Sequence, residues 1–136
     1  MACLDTTFLI DLARPDGERR LRAVSRLREL IARGESPATT RLNVAELFVG
    51  VFRSLDPSRE RRAVEGVLAG LVILEFTGEA AIVFGRMTAH LQKLGRPAGD
   101  MDVLIAATAV ASGHPLLLTR NPSHFESLPG LTVEAH

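Results

Sequence analysis

The arrangement of short apolar runs constrains this chain more than any other feature of its sequence. "ACL" (2–4), "SPATT" (36–40), "LVILEF" (71–76) and "PLLLT" (115–119) are each short enough for a buried strand and are separated by stretches with helical spacing. Strands joined through helices predict a mainly parallel sheet, because a parallel crossover consumes a dozen or more residues and its helices cover the sheet faces. A fifth run, "LTVEA" (131–135), follows the turn-rich loop "RNPSHFESLPG" and reads as a final edge strand. The expected architecture is a three-layer α/β/α sandwich with a central, mainly parallel sheet, forming one domain over residues 1–136 without linker or repeat.

The intervening helices carry start and stop signals. Asp16 reads as the N-cap of a helix with Leu21, Val24, Leu27 and Ile31 on one face and Gly34 as its stop. Thr40 or Asn43 caps "RLNVAELFVGVF", in which Val44, Leu47, Phe48 and Val51 keep helical spacing and leave Glu46 off the apolar stripe. Asp56 followed by Pro57 is a cap with proline at the first helical position, opening a helix through Leu68. Thr77 caps a long helix presenting Ala81, Phe84, Thr88 and Leu91, closed by Gly95 and Pro97. The last helix, in "GDMDVLIAATAVASG", opens with Asp100 and Asp102 and runs to Gly113.

Composition narrows the class. Sixteen basic and sixteen acidic residues cancel, which argues against nucleic-acid binding through a broad positive field and leaves local patches. Lys93 is the only lysine; the arginines concentrate in "GERRLRAVSRLREL" and "PSRERRAV" and read as solvated helix faces. Without Trp or Tyr there is no stacking platform of the kind single-strand binders use. The single cysteine, Cys3, lies in an apolar run and reads as a buried hydrophobe in a reducing compartment. No apolar run is long enough to span a bilayer and no basic-then-apolar leader follows Met1, so a cytoplasmic location with no membrane partner is expected.

In a parallel sheet of this kind, ligands collect at the carboxyl ends of the strands. Asp5 ends the first strand, Glu46 lies just inside the helix after the second, Asp102 opens the helix before the fourth, and Asn121 follows the fourth. Three carboxylates within about 4 Å of one another repel by about 4 kcal/mol per pair at an effective dielectric of about 20, unless a cation lies between them. The candidate ligands are oxygens, and no histidine or cysteine stands at metal spacing, which favours Mg²⁺ or Mn²⁺ over zinc. A hard cation held by carboxylates keeps water, lowers its pKa and bridges phosphate oxygens, which suits hydrolysis of a phosphodiester. Thr119, at the end of the fourth strand, is placed to bond an acid or a water. Asp100 is read as the helix cap, Asp11 as a helix-start residue, and His124 with Phe125 as pins for the loop.

Three blocks carry a resemblance: "LDTTFLIDL" at the start, "LNVAELFVGV" in the middle and, most specific, "GRPAGDMDVLIAATAVASGHPLLLTRNPSHFESLPGL" at the end. Together they span nearly the whole chain and resemble the PIN-domain ribonucleases, specifically the VapC-type toxins of toxin–antitoxin modules. The resemblance implies an Mg²⁺- or Mn²⁺-dependent endoribonuclease in which Asp5, Glu46 and Asp102 hold the metal and Asn121 takes the fourth site, often an aspartate. It also implies an RNA substrate, cleavage by metal-activated water to leave 5′-phosphate and 3′-hydroxyl ends, and a cognate VapB-type antitoxin across the acidic cleft. The helices from Asp16 to Gly34 and from Asp56 to Leu71 offer a surface for that antitoxin or for a homodimer. Thr7 departs from the asparagine or serine usual after "DT", and its hydroxyl is expected to orient a carboxylate or a water. The alternatives are a PIN fold kept only as a binding partner, and a phosphoacceptor signalling domain. The latter requires a lysine at a later strand end, whereas Lys93 falls within a helix.

Overall fold

The computed structural model describes residues 1–96 and 98–136. The first strand, β1 (Ala2–Leu4), passes through Asp5 directly into α1 (Thr6–Ala13). After α2 (Glu18–Ala32) the chain forms β2 (Pro37–Thr40), α3 (Arg41–Arg53), α4 (Pro57–Leu68) and β3 (Val72–Leu74). Two helices, α5 (Gly78–Lys93) and α6 (Asp100–Ala111), then carry the chain to β4 (Leu116–Thr119). One 3-10 turn (Pro122–His124) precedes β5 (Thr132–Ala135).

The strands form one sheet in the order β3-β2-β1-β4-β5, and each pairing is parallel. β1 is therefore central, paired with β2 through Cys3↔Ala38 and with β4 through Leu4↔Leu118. Successive strand residues point to opposite faces, and the packing follows that alternation. Ala2, Leu4 and Leu118 pack with Phe8 and Leu9 of α1, Leu30 of α2, Leu47 of α3 and Val64 of α4. Cys3 and Leu117 pack on the other face with Met87 and Leu91 of α5, Ile105 and Ala106 of α6, and Phe125. These are the two helical layers expected from the sequence. Burial pushes the Cys3 thiol up to about 12, so it is an inert core group.

Cap signals translated unevenly. Thr40 caps α3 in a reciprocal capping box with Asn43, while Asp56 and Thr77 accept from the Arg59 and Ala80 amides. Asp16 does not cap α2: Gly17 holds that position at φ +100 with no side-chain bond, a conformation that Asp16 would reach only with strain. Asp100 does not cap α6 either, because Gly99 is the N-cap and both aspartates fall in the first turn. Two apolar faces match expectation in part: Val24 and Leu27 of α2 and Phe84 and Leu91 of α5 pack against the core. On α2 the buried residues are Ala23 and Leu30, leaving Leu21 and Ile31 exposed; on α5 they are Ala80, Met87 and Leu91, with Ala81 exposed. β3 is shorter than "LVILEF" and half-exposed because it lies at the sheet edge. Gly95, at φ +64, follows the end of α5; Pro97, the other expected stop, lies outside the described residues.

The caps give a direct test. Asp56→Ala is expected to lower unfolding stability by about 1 kcal/mol, and Asp16→Ala to leave it within about 0.5 kcal/mol, in urea titrations of the two variants.

Candidate active site

Asp5 occupies the N-cap position of α1 but makes no capping bond with its side chain. Its carboxylate is 6 % exposed and turns toward the neighbouring strands instead. Asn43 Nδ2 donates to Asp5 Oδ1 at 3.0 Å, and the Thr119 hydroxyl donates to Oδ2 at 2.7 Å. The backbone fixes the same corner, since the Asp5 amide donates to the Leu118 carbonyl at 2.9 Å. Three elements thus converge on one side chain: the end of β1, the first turn of α3 and the end of β4.

Glu46 projects from α3 into this network, where the Thr6 hydroxyl donates to its Oε1 at 2.6 Å. Burial holds the Glu46 carboxyl above the ordinary value, partly offset by the Thr6 bond, and the negative charges of Asp5 and Asp102 raise it further. Asp102, in the first turn of α6, is likewise raised, chiefly by burial; the nearby His124 lowers it and Asp5 raises it. His124 Nδ1 stands 3.5 Å from Asp102 Oδ2. The three expected acids therefore feel one another's charge. Asn121 is exposed; its backbone amide donates to Thr119 Oγ1 at 3.1 Å, while its side chain makes no capping bond in the turn that follows.

The donors that satisfy Asp5 and Glu46 are all neutral: an amide and two hydroxyls. Among the described residues no group of three His, Cys, Asp or Glu side chains is drawn tight enough to enclose an ion by itself. Partly buried negative charge with oxygen ligands and no sulfur or paired nitrogen ligand fits a hard divalent cation that keeps part of its water. A zinc site would demand close tetrahedral nitrogen or sulfur ligands.

Several side chains play parts that differ from expectation. The Thr7 hydroxyl accepts from the Arg120 amide at 3.1 Å, pinning the loop after β4, and its neighbour Thr6 orients the carboxylate. Asp11 is no helix-start residue: it lies in the last turn of α1, buried, with Arg14 Nε at 3.1 Å and Arg120 Nη1 at 3.7 Å. Phe125, 1 % exposed, anchors its loop in the core as expected, whereas His124 is largely exposed and faces Asp102. Two residues at the site, Thr6 and Asn43, went without a site role in the sequence. The signals were present: a second hydroxyl in "DTT", and an asparagine three residues before Glu46, on the same side of the helix.

The fold is a three-layer α/β/α domain with a buried carboxylate, Asp5, at the carboxyl end of its central parallel strand. The chain belongs to the PIN-domain family, whose model matches residues 2–131. It is 36% identical over 131 residues to ribonuclease VapC19 of Mycobacterium tuberculosis, covering 96% of this chain and 97% of the relative. It is also 36% identical over 93 residues to the tRNA(fMet)-specific endonuclease VapC of Salmonella typhimurium, covering 68% and 70% of the two chains. Among solved structures, a chain of DNA-bound VapBC from Salmonella typhimurium superposes with a TM-score of 0.81 at 30% identity, over 99% of this chain and 98% of that one. A chain of VapBC2 from Rickettsia felis, bound to a promoter DNA fragment, shares the fold with a TM-score of 0.85 at 24% identity, over 99% and 98%.

The raised acids predict a pH dependence. A carboxyl whose folded pKa lies above its unfolded value binds more protons folded than unfolded between the two values, so stability falls as pH rises through that window. Without divalent metal, the melting temperature of the wild-type chain minus that of Glu46→Gln is expected to decline as pH rises from the ordinary glutamate value of 4.5 through the raised one. Subtracting the variant removes the opposing effect of His114 and His136, whose pKa values burial lowers. A flat difference across that range would show that Glu46 is not electrostatically strained.

Proposed function

We propose that this chain is a metal-dependent endoribonuclease acting as the toxin of a type II toxin–antitoxin pair. The observation that carries the reading is the joint placement of Asp5, Glu46 and Asp102 at one edge of the sheet, with neutral donors for the first two. Ribonuclease relatives and a toxin–antitoxin complex with the same fold support it. Asp5, Glu46 and Asp102 would hold Mg²⁺ or Mn²⁺, directly or through water, with the Asn121 carbonyl oxygen as a neutral neighbour. Such an ion, when bound, activates water and offsets charge on a phosphodiester. The chain's own part is positional. Asn43 and Thr119 fix the Asp5 carboxylate, Thr6 fixes that of Glu46, and the α6 backbone presents Asp102. Residues 1–136 act as a single nuclease domain, supported by one sheet to which every strand among the described residues belongs.

Partners follow from the surface. Leu12, Val24, Leu27, Ile31, Val67 and Leu71 line an apolar groove of about 550 Å³ between α2 and α4. It accounts for the exposure of Ile31, and its shape suits the apolar face of an antitoxin helix. A second hollow shares Ala13, Arg14 and Pro15 with the first and reaches Glu46 and Glu60. A VapB-type antitoxin is the proposed occupant. Val49 and Phe52, exposed toward the end of α3, and Leu55 just after it supply apolar surface for a homodimer. Among the described residues no helix is long and apolar enough to cross a membrane.

The decisive experiment incubates purified chain with a mixed pool of tRNA and rRNA fragments in Mg²⁺ or Mn²⁺. Cleavage leaving 5′-phosphate ends is expected, lost in EDTA and reduced at least about a hundredfold by Asp102→Asn. Ends carrying 2′,3′-cyclic phosphate would overturn the hydrolytic reading. A folded chain that binds metal by calorimetry but cuts none of these RNAs would point to a narrower substrate; one that binds no metal would favour a PIN fold kept as a binding partner. Ile31→Glu is expected to leave cleavage unchanged while weakening inhibition by the antitoxin at least about tenfold, read from the inhibitor titration.

A further inference from the structure

Asn43 is fully buried and makes more hydrogen bonds than a helix cap requires. Its Oδ1 accepts from the Thr40 amide at 3.3 Å and from the Thr40 hydroxyl at 2.7 Å. Both hydrogens of its Nδ2 are used at the site: one reaches Asp5 Oδ1 at 3.0 Å, the other Thr6 Oγ1 at 2.9 Å. The orientation of the amide is chemically determined. A flipped amide would set NH₂ against the Thr40 N–H and a carbonyl oxygen against the Asp5 carboxylate, two contacts between like groups. Because Thr6 Oγ1 receives a hydrogen from Asn43, its own single hydrogen is directed to Glu46 Oε1, at 2.6 Å. The bonds therefore run one way, from the Thr40 backbone through Asn43 to Asp5, and through Asn43 and Thr6 to Glu46.

We infer that Asn43 is the positioning residue that sets two of the three acids as one unit, Asp5 by direct contact and Glu46 through Thr6. An apolar residue here would leave Asp5 lacking one of its two side-chain donors and free the Thr6 hydroxyl to turn away from Glu46. A lysine or arginine would satisfy Asp5 but put a fixed positive charge where the acids are to receive a cation. A neutral double donor holds both carboxylates in place and leaves their charge intact. This inference rests on the proposed metal-dependent activity for its kinetic consequences, but not for its geometry.

The test compares Asn43→Ala, Thr6→Val and Thr6→Ser with the wild-type chain. Mn²⁺ binding is measured by calorimetry, kcat and KM on a cleaved RNA, and thermal stability without metal. Asn43→Ala is expected to weaken Mn²⁺ binding and lower kcat, each about tenfold or more, with KM within about threefold; Thr6→Val should show part of that loss, and Thr6→Ser should restore it. In a Glu46→Gln background the loss caused by Asn43→Ala should shrink, since only its link to Asp5 still matters. Wild-type Mn²⁺ affinity and kcat in Asn43→Ala, with only the melting temperature lowered, would make Asn43 a cap and overturn the inference. If Asn43→Ala fails to fold, Thr6→Val decides: unchanged kcat and Mn²⁺ affinity would overturn the link to Glu46. If the wild-type chain itself neither binds Mn²⁺ nor cuts, the nuclease reading fails, and crystal structures of Asn43→Ala and Thr6→Val judge the geometry. Displacement of the Asp5 or Glu46 carboxylate by more than about 0.5 Å is expected; unmoved carboxylates would overturn the inference.

Discussion

A carboxylate buried at the end of the central strand is the constraint around which this molecule is arranged. An acid out of water must be hydrogen-bonded on nearly every side, and leaving a buried acceptor unmatched costs about 1–3 kcal/mol or more for a charged group. Asp5 meets that demand with donors from two other elements, Asn43 at the start of α3 and Thr119 at the end of β4. Neither brings charge. The sheet order, with β1 between β2 and β4, is what allows both neighbouring segments to reach it. An arginine in either place would also have satisfied a buried acid, and would have cancelled the negative potential there.

The layers on either side serve the same end. On one face Phe8, Leu9 and Leu47 hold α1 and α3 against the strands, so that Thr6 and Glu46 meet across the gap between two helices. On the other face α6 is apolar nearly all round because it is enclosed, with Val103, Ile105, Ala106, Ala107 and Ala109 buried. Its acids are confined to the first turn, where the N-terminal dipole favours them and solvent reaches Asp100. The aspartate pair at the mouth of an alanine-rich helix thus divides into an exposed first-turn acid and a half-buried one coupled to Asp5.

Much of this was legible in the sequence. Short apolar runs alternating with helical spacing announced the parallel sheet and both helical layers, and the three acids were identifiable by where they fall relative to strand ends. What was not legible depends on rotation and partner choice. The apolar faces of α2 and α5 were placed only in part, because exposed apolar residues such as Ile31 and Leu21 count toward periodicity as much as buried ones. Asp16 and Asp100 were read as caps because the residue type was right, yet each lies one position from the N-cap, which a glycine holds in both helices. Thr6 and Thr7 are adjacent and identical in chemistry, and only the phase of α1 decides which hydroxyl meets Glu46 and which meets the Arg120 amide. Asn43 showed its capping role and hid its second one, because a side chain's remaining hydrogens have no signature in sequence.

The parallel register between β1 and β4 has a consequence in time. Asp5 precedes its Thr119 donor by 114 positions, and β4 must be laid beside β1 before that bond can form. Glu46 and Asp102 are made in between. An elongating chain accordingly carries Asp5 and Glu46 before the framework that gathers them exists, and the acids come together only once β4 has been translated and closed into the sheet.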